Sequence, residues 1–132
     1  MRLECMVPIK PVPKARARVT SNGTYTPAAT RQAEKDIRTY WTQKHLGGFG
    51  DDAELRLVVT VALYRPKTVT RMHPIGRPDW DNFGKTVSDA LNGIAYRDDS
   101  QVVDGRVIKR YCLPGEAPHI EIMLEEMEQS GG

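Results

Sequence analysis

The run from Glu54 to Tyr64 leaves less room for choice than any other part of this chain. It is rich in β-branched residues, and its first half alternates apolar with polar positions, so it reads as a strand. A strand needs partners, and three shorter runs offer them: Leu3–Val7, closed by Pro8 and suited to an edge or first strand, Val102–Cys112, and His119–Leu124. Two helical patterns lie between these runs. The first opens at Thr26-Pro27, an N-cap residue followed by proline at the first helical position, and is expected to run to about Lys44. Ala29, Ala33, Ile37, Tyr40 and Trp41 form its apolar stripe, Arg31, Lys35 and Arg38 share a polar face, and Gly47-Gly48 and Gly50 end it. The second starts near Asp79 or Asp81, carries Phe83, Val87 and Leu91 at i, i+4 and i+8 with Ile94 beyond, and stops at Asn92-Gly93.

Strands and helices interspersed in this way predict a single α+β (mixed α/β) domain over residues 1–127, a mixed sheet of about four to five strands packed with two main helices. Hairpins are expected at both ends. One is centred on Ser21-Asn22-Gly23, pairing Val19-Thr20 with Thr24-Tyr25, and the other crosses Leu113-Pro114-Gly115. Residues 128–132, ending in Ser130-Gly131-Gly132, are expected to be a disordered tail.

With 132 residues and 19 Lys plus Arg against 17 Asp plus Glu, the chain is one domain in length and only mildly basic, so its charge matters by distribution. Pro8, Pro11 and Pro13 hold an N-terminal arm extended, and alternation places Lys14, Arg16 and Arg18 on one side of it. Arg65, Lys67, Arg71 and Arg77 crowd the polar loop after the central strand, while Glu121, Glu125, Glu126 and Glu128 gather near the end. A near-neutral total thus conceals a basic face suited to a polyanion, although a solvated mixed surface explains the same runs. Cys5 and Cys112 sit in strand-like sequence without metal spacing and read as reduced core thiols. With no signal-like start and no membrane-length apolar run, a soluble cytoplasmic protein is expected, with no membrane partner.

The chemistry concentrates between Gly76 and Gln101. Asp79 and Asp81 stand two apart before the second helix, Lys85 lies one turn beyond Asp81, and Asp98-Asp99 ends the connection behind that helix. Four carboxylates packed close together repel one another unless a counter-ion intervenes, and a hard cation such as Mg²⁺ prefers such oxygen ligands. In an extended approach Asp79 and Asp81 point one way and Trp80 the other, toward the core; Pro78 supports this by disfavouring helix at Arg77. Gly84 inside the helix costs about 1 kcal/mol relative to Ala, which implies a close neighbour.

Each residue also has a plainer reading. Asp79 suits a helix N-cap, Asp81 and Lys85 an i, i+4 surface pair, and Asp98-Asp99 a turn, so spacing alone leaves the metal site open. An EF-hand is excluded, because Phe83 and Ala90 stand where ligands belong. His45, His73 and His119 have no metal-ligand spacing, and neither a phosphate-binding P-loop nor a nucleophile elbow is present. Cys112 has no activating partner in sequence, which argues against covalent catalysis.

Taken in order, Lys10-Pro11-Val12-Pro13-Lys14-x-Arg16-x-Arg18, Thr24-Tyr25-Thr26-Pro27, Arg77-Pro78-Asp79-x-Asp81-Asn82-x-x-Lys85, Asp89-Ala90-Leu91-Asn92-Gly93 and Asp98-Asp99-x-Gln101-Val102 resemble the RusA family of Holliday-junction resolvases of bacteria and their phages. The resemblance spans nearly the whole chain. It implies a Mg²⁺-dependent endonuclease, with Mn²⁺ as a substitute, that cuts four-way DNA junctions symmetrically in recombination and repair; the two-fold symmetry of such a junction matches a homodimer with two identical sites. By motif, Asp79, Asp81 and Asp99 would be the metal-binding and catalytic carboxylates and Lys85 the catalytic lysine, with Asp98 assisting. Lys14, Arg16, Arg18 and Arg77 are the candidates for DNA contact. Two other readings remain open: a module that holds branched DNA without cutting it, and a nuclease acting on flaps or forks.

Overall fold

The alternation noted first becomes strand β2 (Leu55–Leu63) in a computed structural model of the chain, which describes residues 1–15 and 27–128. Leu55, Leu57, Val59 and Val61 are all buried on one face of β2, and the residues between them turn to the opposite face. Around it stand β1 (Arg2–Val7), β3 (Val102–Tyr111) and β4 (His119–Glu126), in the spatial order β1-β4-β2-β3. Both β1 and β2 pair antiparallel with β4, and β2 pairs parallel with β3. The described residues therefore form an α+β fold: one mixed four-stranded sheet with helices α1 (Pro27–Lys44) and α2 (Trp80–Leu91). As expected, β1 is an edge strand.

The hairpin expected across Leu113-Pro114-Gly115 does not form. The chain does turn there, with Gly115 at φ +83°, but β2 lies between β3 and β4. Turn chemistry sets the reversal, whereas pairing follows burial: Ile120, Ile122 and Leu124 of β4 line up beside Val61, Val59 and Leu57 of β2 and complete one apolar face. The hairpin expected around Ser21-Asn22-Gly23, the Thr26 cap, and Ser130-Gly131-Gly132 lie outside the described residues.

Both helices pack on that face. In α2 the i, i+4, i+8 stripe buries Phe83, Val87 and Leu91, each contributing about 1.5–3 kcal/mol relative to exposure. In α1 the core face is Ala33, Ile37 and Trp41, but Ala29 and Tyr40 are exposed and Thr30 and Glu34 are buried instead. The N-terminal arm explains the exchange. Thr30 Oγ1 donates to the Pro13 carbonyl at 3.3 Å and accepts from the Ala15 N–H at 3.0 Å, and Lys14 Nζ meets Glu34 Oε1 at 2.9 Å. Polar groups on this face of α1 are satisfied by the arm laid over them.

Two glycines mark close approaches. A Cβ on Gly48 would stand 2.5 Å from the Ala95 carbonyl oxygen, where Phe49 N–H donates to that oxygen at 2.9 Å. A Cβ on Gly84 would stand 2.6 Å from Val107 Cγ2, so the close neighbour implied by a glycine in α2 is β3 itself.

Candidate active site

The seam between α2 and β3 holds a cavity of about 300 Å³. Leu57, Val59, Val102 and Val107 give it an apolar floor, and Trp80, Asp81, Lys85, Ser88, Asp99 and Arg106 supply its functional rim. Helix periodicity brings Asp81, Lys85 and Ser88 to this side of α2. Asp99 arrives from the 3-10 turn Asp99–Gln101, which leads straight into β3.

That turn is fastened from several sides. Gln101 Oε1 accepts the Arg97 and Asp98 N–H groups at 3.0 and 3.2 Å, and its Nε2 donates to the carbonyls of Gly50 and Ala53 at 2.9 and 3.2 Å. Asp98 accepts the Ser100 hydroxyl at 2.9 Å, and chiefly that bond holds its carboxyl below the usual range. Asp98 is thus engaged in shaping the turn, and its neighbour Asp99 faces the cavity. On the other side, Lys109 Nζ donates to the carbonyls of Gly76 and Pro78 at 2.7 and 3.0 Å, tying the approach to α2 onto β3.

The expected site residues are thereby sorted. Asp81, Lys85 and Asp99 meet at one cavity, and Asp79 is not among its lining residues. Asp79 occupies the N-cap position with φ −68° and ψ 152°, yet its side chain makes no capping bond. Asp81 already lies in the first turn of α2, so the two carboxylates do not share an extended segment as alternation suggested. Among the described residues, no group of three or more His, Cys, Asp or Glu side chains is close enough to hold a metal ion. Two carboxylates on one cavity still suit Mg²⁺, which takes one or two protein carboxylates and completes its octahedron with water and phosphate oxygens. The Asp81–Lys85 surface pair considered from sequence is absent. Lys85 Nζ instead stands 3.2 Å from Asp89 Oδ1 and 4.0 Å from Asp99 Oδ2.

Trp80 departs most from expectation. Alternation directs it to the core, but it is 58% exposed at the cavity rim. The reason is that helix begins at Trp80, and 3.6-residue periodicity, not alternation, decides which way its side chain points. Arg77 is exposed in the loop before α2, whereas Arg16 and Arg18 lie outside the described residues. Lys14 is no free cation. It bridges Glu34 and Asp89 at 2.9 and 3.0 Å, and the Glu34 bond foremost raises its pKa.

Two residues of this neighbourhood receive no site role from sequence: Asp89, although it opens one of the matched motifs, and Arg106. Asp89 was signalled by its place four residues after Lys85, the same i, i+4 rule applied forward. Nothing in the strand pattern of β3 marked Arg106. The acidity of the region registers on Tyr96, whose hydroxyl donates to the Ser88 carbonyl at 2.8 Å. Burial first, then the charges of Asp99, Asp89 and Asp98, push that hydroxyl well above the usual phenol range.

Set beside known proteins, residues 8–125 match the profile of a family described as "Endodeoxyribonuclease RusA". Over 56 residues, 42% of the chain, the sequence is 48% identical to a protein of Bacillus subtilis (strain 168) described as "Uncharacterized protein YqaN". The matched segment spans 37% of that relative's length. Among the described residues, no helix is long and apolar enough to cross a membrane.

Proposed function

The chain belongs to the RusA endodeoxyribonuclease family, and from that premise we propose that it is a Mg²⁺-dependent endonuclease that resolves four-way DNA junctions by hydrolysing phosphodiester bonds. The observation that carries this reading is the meeting of Asp81, Asp99 and Lys85 at one cavity whose rim also presents Trp80 and Arg106. Asp81 and Asp99 would hold Mg²⁺, or Mn²⁺ in its place, with Asp79 the third carboxylate that the family motif implies. When bound, the ion supplies Lewis acidity at the phosphoryl oxygens and an activated water.

The chain's own residues supply the rest. Lys85, half exposed beside Asp99, offers an ammonium to the charge that builds on the scissile phosphate. Arg106 and Arg77, with Arg16 and Arg18 of the arm, bind flanking phosphates, which makes affinity fall steeply with salt. Trp80 presents an aromatic face to a base beside the cut, an interaction that tolerates any sequence. Asp98 assists by holding the turn that aims Asp99. Two strands of a four-way junction are related by a two-fold axis, and a homodimer brings two identical sites in matching symmetry. The setting for such an activity is recombination and repair in the cytoplasm.

Asp81→Asn tests the reading. It keeps the shape of the side chain and removes the charge, so cutting should be abolished while the junction still shifts in a gel. A variant that cuts at the parent's rate refutes the assignment. Competition among four-way, flap and fork substrates then identifies the preferred branch.

A further inference from the structure

Asp89 lies behind the cavity rim and is not one of the lining residues, yet it joins two lysines that reach it from different parts of the chain. Its Oδ1 stands 3.2 Å from Lys85 Nζ and its Oδ2 stands 3.0 Å from Lys14 Nζ. Lys14 in turn meets Glu34 of α1 at 2.9 Å, and its backbone N–H donates to the Asn82 carbonyl in the first turn of α2 at 2.9 Å. Glu34–Lys14–Asp89–Lys85 is thus a neutral run of alternating charges that ends beside Asp99, 4.0 Å from Lys85.

We propose that Asp89 is a positioning residue: by holding Lys85 with one oxygen and Lys14 with the other, it makes the seating of the N-terminal arm fix where the Lys85 ammonium stands.

The inference rests on the endonuclease reading for its consequence but not for its geometry. An ordinary i, i+4 pair would account for Lys85 and Asp89 alone. It does not account for the second oxygen, which engages a lysine far away in sequence whose other partner is the largely buried Glu34. With Asp89 neutralised, Lys85 loses its nearer partner and is drawn to Asp99, the carboxylate it now stands off from. A close Lys85–Asp99 pair would occupy oxygens that the site needs for its cation and draw the ammonium away from the phosphate. Lys14 acquires a role other than DNA contact. With Glu34 and Asp89 both on its ammonium, it has little left for a phosphate, so its removal should be felt in turnover and not in binding.

The test has an arm without DNA or metal and an arm with both. In the metal-free protein, side-chain ¹⁵Nζ NMR should show hydrogen-bonded ammonium signals for Lys14 and Lys85, and Asp89→Asn should shift both. A variant that moves neither, or only one, overturns the bridge whatever the protein's activity. In junction cutting, Asp89→Asn should lower kcat by about 10- to 100-fold, the usual scale for groups that orient catalytic ones. KM should stay within about twofold. Asp89→Glu should recover part of the loss, since it restores the charge on a longer stem. Lys14→Met should lower kcat and leave the salt slope of junction binding unchanged, whereas loss of a phosphate contact would reduce that slope by about 1. A slope that falls with Lys14→Met, or an Asp89→Asn enzyme with full kcat, refutes the inference. A parent protein that cuts no junction while both lysine signals respond to Asp89→Asn leaves the bridge standing and overturns the endonuclease reading.

Discussion

Replacing Gly84 by alanine should damage the site more than the fold. By propensity alone the change favours the helix by about 0.8–1 kcal/mol. The structure opposes it, because the added Cβ would sit 2.6 Å from Val107 Cγ2. Val107 is β-branched and held in β3, so it cannot swing aside as a long side chain would. Overpacking of this kind costs roughly 1–3 kcal/mol, which leaves a net loss of about 0–2 kcal/mol. Relieving that strain by a shift of α2 off β3 would carry Asp81 and Lys85, which line the cavity with Asp99, away from its floor. A displacement near 1 Å at reacting groups can cost about 100-fold in rate. Urea unfolding and Mg²⁺-dependent junction cutting measure the two effects separately. We expect a small fall in the unfolding midpoint, a large fall in cutting, and recovery of both when Val107→Ala is added. A Gly84→Ala protein that is more stable than the parent and cuts normally would refute the argued contact between α2 and β3.

Trp80→Ala should change stability by no more than about 0.5 kcal/mol, as for an exposed site, where a core tryptophan would cost about 3–5 kcal/mol. In the same variant junction binding should weaken by the roughly 1–3 kcal/mol of a lost base stack, read by gel shift; a large drop in Tm with normal binding would contradict both statements. At the end of β3, Arg110 and then the Leu113 N–H hold the Glu116 carboxyl down at about 2, below its ordinary 4.5. The stability it contributes is present above pH 4.5 and is lost as pH falls from 4.5 toward 2. Glu116→Gln should therefore flatten the acid limb of a Tm-against-pH profile, and an unchanged limb would contradict the pairing.

How much of this was legible in the sequence depended on how far apart the deciding residues lie. Strand β2 and the buried stripe Phe83, Val87 and Leu91 were readable because their periodicity is carried by adjacent residues. The reversal at Leu113-Pro114-Gly115 was readable too, but the insertion of β2 between β3 and β4 was not, since pairing is settled by apolar faces distant in sequence. Likewise Ala33, Ile37 and Trp41 followed from helical spacing. The burial of Thr30 and Glu34 depends on Pro13, Lys14 and Ala15 folding back over α1. Trp80 escapes the alternation pattern because helix α2 already begins at that residue. At the site, the motif pointed to Asp81, Lys85 and Asp99, which do meet, but not to the orientation of Asp79 or the engagement of Lys14.

The most direct test uses a synthetic immobile four-way junction, labelled on each strand in turn, with purified protein and Mg²⁺ and a parallel reaction in EDTA. The account predicts paired nicks at two-fold-related positions that vanish with EDTA. Junction that is bound but stays whole across Mg²⁺ and Mn²⁺ would contradict it and leave a protein that holds branched DNA without cutting it.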